Sequence, residues 1–130
     1  MTAEEMARDF VARVRGDLAA FAQRTDALMV SQGRGPDDIK EMPHIWLEAG
    51  ADITNQDIAA RKEAEVVLVV QYMAAALRLE DPLLCKVLDC SYVENLMWNV
   101  NDSSTREWAW GLFPEVIRQY YERTWGPVRF

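Results

Sequence analysis

Few residues in this chain have the type and spacing that chemistry requires. The single histidine, His44, follows Glu41 by three residues and precedes Glu48 by four. On one continuous helix those spacings share a face and could hold a divalent metal. Pro43 lies inside the window, however, and there is no second histidine to complete a catalytic set, which ordinarily needs three protein ligands. His44 is therefore expected to be structural or solvent-facing, with no metal. There is no Gly-x-Ser-x-Gly elbow, no glycine-rich phosphate loop and no dinucleotide fingerprint. Cys85 and Cys90 have only Lys86 nearby to depress a thiol pKa. Five apart on one helix, they point about 140° from each other and are read as unbridged core residues in a reducing compartment. No catalytic residue and no cofactor is assigned.

Glu94 and Asn95 stand out because they interrupt the apolar run from Tyr92 to Leu96. A buried carboxylate must be matched by a cation or several donors, or else stay protonated. Two readings follow: a polar tie from Glu94 to an arginine such as Arg61 or Arg78, or a catalytic acid in a pocket between helices. The tie is preferred because no partner base is visible. Trp98, Trp108, Trp110, Phe113 and Trp125 could stack a ligand or anchor a partner, but core packing at the C-terminal end explains them more simply.

The distribution of charge is the strongest signal. Asp37, Asp38, Glu41, Glu48, Asp52 and Asp57 face only Lys40 within residues 37–57, a net −5 of the chain's −7. Like charges crowded in one segment create a field that steers a cationic partner and raises its association rate. These six acids, with Trp46 as an aromatic anchor, are the candidate partner-binding residues.

Helices must carry all of this. Thr2 and Glu5 form a capping-box pattern, and Met6, Phe10, Val14, Leu18, Phe21, Thr25 and Leu28 make one stripe, so a long first helix is expected to end near Ser31 before Gly33-Arg34-Gly35-Pro36. Residues 36–56, broken by Pro43 and Gly50, read as short helices joined by turns. A second long helix is expected over 57–79, although Val66–Val70 has strand propensity. Asp81-Pro82 starts a third, predicted to run to about Val100 and, apolar nearly all round, to occupy the centre. Ser104 with Glu107 repeats the capping pattern, and a last helix after Pro114 closes at Gly126-Pro127. The prediction is one all-α, bundle-like domain over residues 1–130, with four to five main helices.

Composition bounds the function. At 130 residues, half apolar and with a pI near 4.7, the chain is predicted to be a soluble, cytoplasmic domain that does not bind nucleic-acid phosphates directly. It contains no membrane-length apolar run and no signal peptide is expected. The narrow stripe of the first helix could also serve a homo-oligomeric seam, which makes an oligomeric scaffold a further reading.

At Pro43-His44-Ile45-Trp46-Leu47, at Val87-Leu88-Asp89-Cys90-Ser91-Tyr92-Val93-Glu94-Asn95-Leu96, and at the closing Trp125-Gly126, the sequence resembles a family of small, uncharacterised bacterial helical proteins. That family carries a Ser-aromatic-Val/Leu-Glu-Asn-Leu signature, and the resemblance covers roughly residues 40–126. Its members are similar in size and acidity to the immunity proteins of bacterial toxin systems. The resemblance implies a non-enzymatic immunity or antitoxin protein that covers the active site of a cognate, cationic toxin, with Glu94 and Asn95 as structural signature residues. The alternative is a small enzyme or ligand-binding domain that uses Glu94.

Overall fold

The computed structural model describes residues 1–130 and contains eight α-helices and no strand. They are α1 (Ala3–Asp17), α2 (Ala19–Ser31), α3 (Pro36–Glu41), α4 (Pro43–Ala59), α5 (Glu63–Leu77), α6 (Pro82–Ser91), α7 (Ser103–Leu112) and α8 (Glu115–Trp125). A 3₁₀ turn, Val93–Asn95, follows α6. The all-α class is as expected, but the helices divide differently from the predicted four or five.

The expected first helix is two. Thr2 and Glu5 do form the capping box, but the backbone bends at Leu18, with φ −128° and ψ 60°. Arg15 on α1 then meets Asp26 on α2 through two hydrogen bonds of 2.7 and 2.8 Å. In a straight helix, residues eleven apart would be about 16 Å apart along the axis, so the contact requires α2 to fold back. The stripe from Phe10 through Val14, Leu18 and Phe21 to Thr25 is buried within the chain itself, where it is not available as a seam for a second copy.

The largest departure lies in residues 36–56. Instead of short helices and turns, Pro43 opens α4, the seventeen-residue helix that packs against α1, α2, α3, α5, α6 and α7. Proline is harmless there because the first amide of a helix has no intrahelical acceptor. Gly50, read as a break, lies mid-helix. A Cβ at that position would lie 3.0 Å from Phe21 Cζ, so its absence lets α2 approach α4. Eleven of the seventeen α4 residues are buried, which makes α4, rather than the 83–100 segment, the axis of the domain.

Two other expected helices are shorter. The 57–79 segment is interrupted at Ala60–Lys62, where Arg61 takes φ 55°, and α6 stops at Ser91. The capping oxygen of α7 comes from Asp102, not Ser104. One connected core of 34 buried apolar residues draws on every helix except α3, which buries none.

Candidate functional site

The six acids of residues 37–57 fall into two groups. Asp37, Glu41 and Glu48 are exposed, and no ion pair or side-chain hydrogen bond engages them. Asp52, one turn beyond Glu48 and on the same face of α4, is half-buried and accepts a 3.0 Å hydrogen bond from Trp98 Nε1. Asp38 is turned partly to local use, accepting from the Gly35 amide at 3.3 Å.

Asp57 and Trp46 do not belong to this surface. Asp57 is nine residues beyond Glu48, hence on the opposite face of the helix. It is 3% exposed and takes a forked pair of hydrogen bonds from Arg24 at 2.8 and 2.9 Å. Trp46 is fully buried, packs edge-on against Phe21 and donates Nε1–H to Asp26 at 2.7 Å. Burial alone would disfavour the charge on Asp26, but the hydrogen bonds from Arg15 and Trp46 outweigh it and hold its pKa below the ordinary value. Trp46 is thus a core residue, not an anchor.

The aromatic residue that does reach solvent beside the acids is Trp98, 64% exposed and fixed to Asp52 by its indole N–H. The sequence places it with the C-terminal core, together with Trp125, which is 57% exposed and donates Nε1–H to the Glu94 carbonyl at 3.0 Å. Trp108, Trp110 and Phe113 do pack against the core. Position decides the difference: Trp98 follows the tight turn at Met97, φ 63°, which directs the chain out of the core.

Glu94 makes no tie to arginine. Its side chain is half-buried with no ion-pair partner, while Arg61 donates to Ser104 and Thr105 and stacks on Trp108. Neither of the two main surface hollows is lined by Glu94. Its charge acts on Asp89, whose pKa is raised by burial first and by Glu94 second, with Arg123 opposing. One oxygen of Asp89 is buried without a hydrogen-bond partner.

Asn95 is structural, its amide donating to the Ser91 carbonyl at 3.0 Å to close the end of α6. The residue that sequence reasoning missed is Asn55. From the buried face of α4 it donates to the Asn95 carbonyl at 2.9 Å and accepts from the Met97 amide at 2.7 Å, clamping the turn that presents Trp98. Its only sequence signal is an amide at a core-facing helical position, and Pro43 and Gly50 obscure the periodicity that would reveal that face.

His44 Nδ1 lies 3.1 Å from the Oγ of buried Ser91, joining the start of α4 to the end of α6. No group of three or more His, Cys, Asp or Glu side chains is placed to hold a metal ion. Cys85 is buried, whereas Cys90, expected in the core, is exposed.

The molecule is thus an all-α domain with exposed, unpaired carboxylates on α3 and α4. It belongs to the family described as "Domain of unknown function (DUF7674)", whose model matches residues 20–126, from α2 through α8. No curated protein and no solved structure matches the chain. No helix is long and apolar enough to cross a membrane.

Proposed function

We propose that this protein is a non-enzymatic binding domain of the immunity or antitoxin kind, which neutralises a cognate cationic toxin by covering its active site. The observation that carries the reading is the set of exposed carboxylates on α3 and α4, Asp37, Glu41 and Glu48, left without ion-pair partners. Folded proteins commonly pair or disperse such charges, whereas an unpaired group of one sign lowers the energy of an approaching opposite charge over several ångströms. A toxin domain that attacks nucleic acid is cationic where it grips phosphates. An acidic inhibitor can occupy that same field.

Trp98 is the anchor in this reading. It combines a large apolar area with an indole N–H already bonded to Asp52, so little rotamer freedom remains to be lost on docking. The acids then govern encounter, and Trp98 governs residence.

The test begins with the product of the gene adjacent to the one encoding this chain, expressed alone and with it. Co-expression should restore growth that the neighbour alone arrests, and the two chains should co-purify. In the triple variant D37K/E41K/E48K the association rate at low salt should fall by roughly tenfold or more, with little change in dissociation. Unaltered growth arrest on co-expression, or an unchanged association rate and salt slope, would overturn the reading.

A further inference from the structure

One hollow of the molecule is lined by none of the six acids of residues 37–57. It lies between α1, α2, α3 and the first residue of α4, and its volume is about 550 Å³, within the usual range of small-molecule sites. Its apolar lining includes Val11, Val30, Ile39 and Pro43. Val30 is 59% exposed although it faces this groove, so an apolar wall is left open to water. The charged lining residues are Arg8, Arg15, Lys40 and Asp26, three cations against one carboxylate in a chain of net charge −7.

That carboxylate is already engaged. Asp26 accepts both terminal nitrogens of Arg15 and the indole N–H of Trp46, and the Arg15 guanidinium stacks over the Trp46 ring at 5.1 Å to its centroid. Arg15 is therefore held in place on the groove lining. Arg8 is bound only by an exposed contact to Glu4 one turn away at 2.9 Å, which contributes little in water. Lys40 has no ion pair. Positive charge thus remains to be matched beside an apolar cleft.

The α3 wall points the same way. Pro36, Ile39 and Lys40 line the groove, while Asp37 and Glu41 are exposed. With no residue of its own fully buried, α3 is held to the core by the half-buried Ile39 alone. A ligand filling the groove would add apolar contacts to that one.

We propose that this groove binds a small amphipathic carboxylate. Its apolar body lies against Val11, Val30 and Ile39, and its acid group meets Lys40 and Arg8. Apolar lining selects the body, and the excess of cations selects the sign of the head. Occupancy orders α3.

The probe is decanoate, added below its micelle concentration to the full chain at low salt and followed by calorimetry and amide NMR. Saturable one-site binding is expected, with shifts centred on α3 and at Val11 and Val30, and slower amide exchange along α3. Lys40→Gln should weaken binding by about fivefold, and Val30→Glu by roughly tenfold or more with an unchanged melting temperature, because Val30 is exposed. Decyltrimethylammonium, with the same chain length and the opposite head charge, should bind at least about tenfold more weakly. Absence of saturable binding, shifts centred elsewhere, or equal binding of the two amphiphiles would overturn the proposal. None of these readouts depends on a protein partner.

Discussion

Arg24 on α2 places both of its terminal nitrogens on the carboxylate of Asp57 near the end of α4, at 2.8 and 2.9 Å. The two partners differ in burial: the Asp57 side chain is 4% exposed and that of Arg24 39%. Losing the arginine strands a carboxylate in the interior, whereas losing the acid leaves a guanidinium that water can still reach. Arg24→Met should therefore cost about 3 kcal/mol, and Asp57→Asn distinctly less. The double variant should cost less than the sum. Urea denaturation of the four proteins measures each value.

Two carboxylates should shape the pH dependence of stability in opposite senses. Asp26 has a depressed folded-state pKa: burial raises it, but the Arg15 and Trp46 hydrogen bonds prevail. Its contribution is therefore complete above the ordinary value of 3.8 and is lost as pH falls through the folded value. Asp26→Asn should be less stable than the parent at pH 7, and the gap should narrow below about pH 4.

Asp89 has a raised folded-state pKa, from burial and from Glu94. The folded state then binds its proton more readily than the unfolded chain, so stability is lost as pH rises through the folded value. At neutral pH the ionised group is a net cost, with one oxygen buried and unbonded. Asp89→Asn should raise the urea midpoint at pH 7 and lose that advantage near pH 3. A lower midpoint at pH 7 would contradict this account.

Asn55 holds two backbone groups, the buried Met97 amide and the partly buried Asn95 carbonyl. Asn55→Ala should cost about 2–3 kcal/mol, the penalty for a buried N–H and C=O left unmade. Asn55→Asp should cost at least as much, because it keeps the acceptor for the Met97 amide but buries a carboxylate against the Asn95 carbonyl. The Trp98 indole N–H resonance should report a loosened turn in both.

The tryptophans separate packing from recognition. Trp46→Ala should cost about 3–5 kcal/mol, because a fully buried ring is removed from the core. Trp98→Ala should change stability by no more than about 0.5 kcal/mol while weakening the proposed toxin complex roughly tenfold or more. Thermal melts and partner titrations of the two variants check this together.

What could be read along the chain was what short-range chemistry controls. The Thr2–Glu5 cap, the start at Asp81-Pro82, the stop before Pro36 and the close at Gly126 all depend on residues within one turn of each other. The concentration of acids between residues 37 and 57 was equally plain, as was the all-helical class. Pro43 and Gly50 misled, because a proline can open a helix as readily as interrupt one, and a mid-helix glycine has meaning only once Phe21 lies against it.

The remaining features were decided by groups distant in sequence. The bend at Leu18 allows Arg15 to pair with Asp26, Arg61 at φ 55° bonds Ser104 and Thr105, and Met97 at φ 63° gives its amide to Asn55, forty-two residues away. The positive φ of Arg61 and Met97 is costly for residues other than glycine, and partners brought in by folding offset it. The same long-range packing turned Asp57 and Trp46 inward, left Asp37, Glu41, Glu48 and Trp98 outside, and gathered Arg8, Arg15 and Lys40 around one groove. Helical period tells which residues share a face, but which face meets solvent depends on what the rest of the chain brings against it.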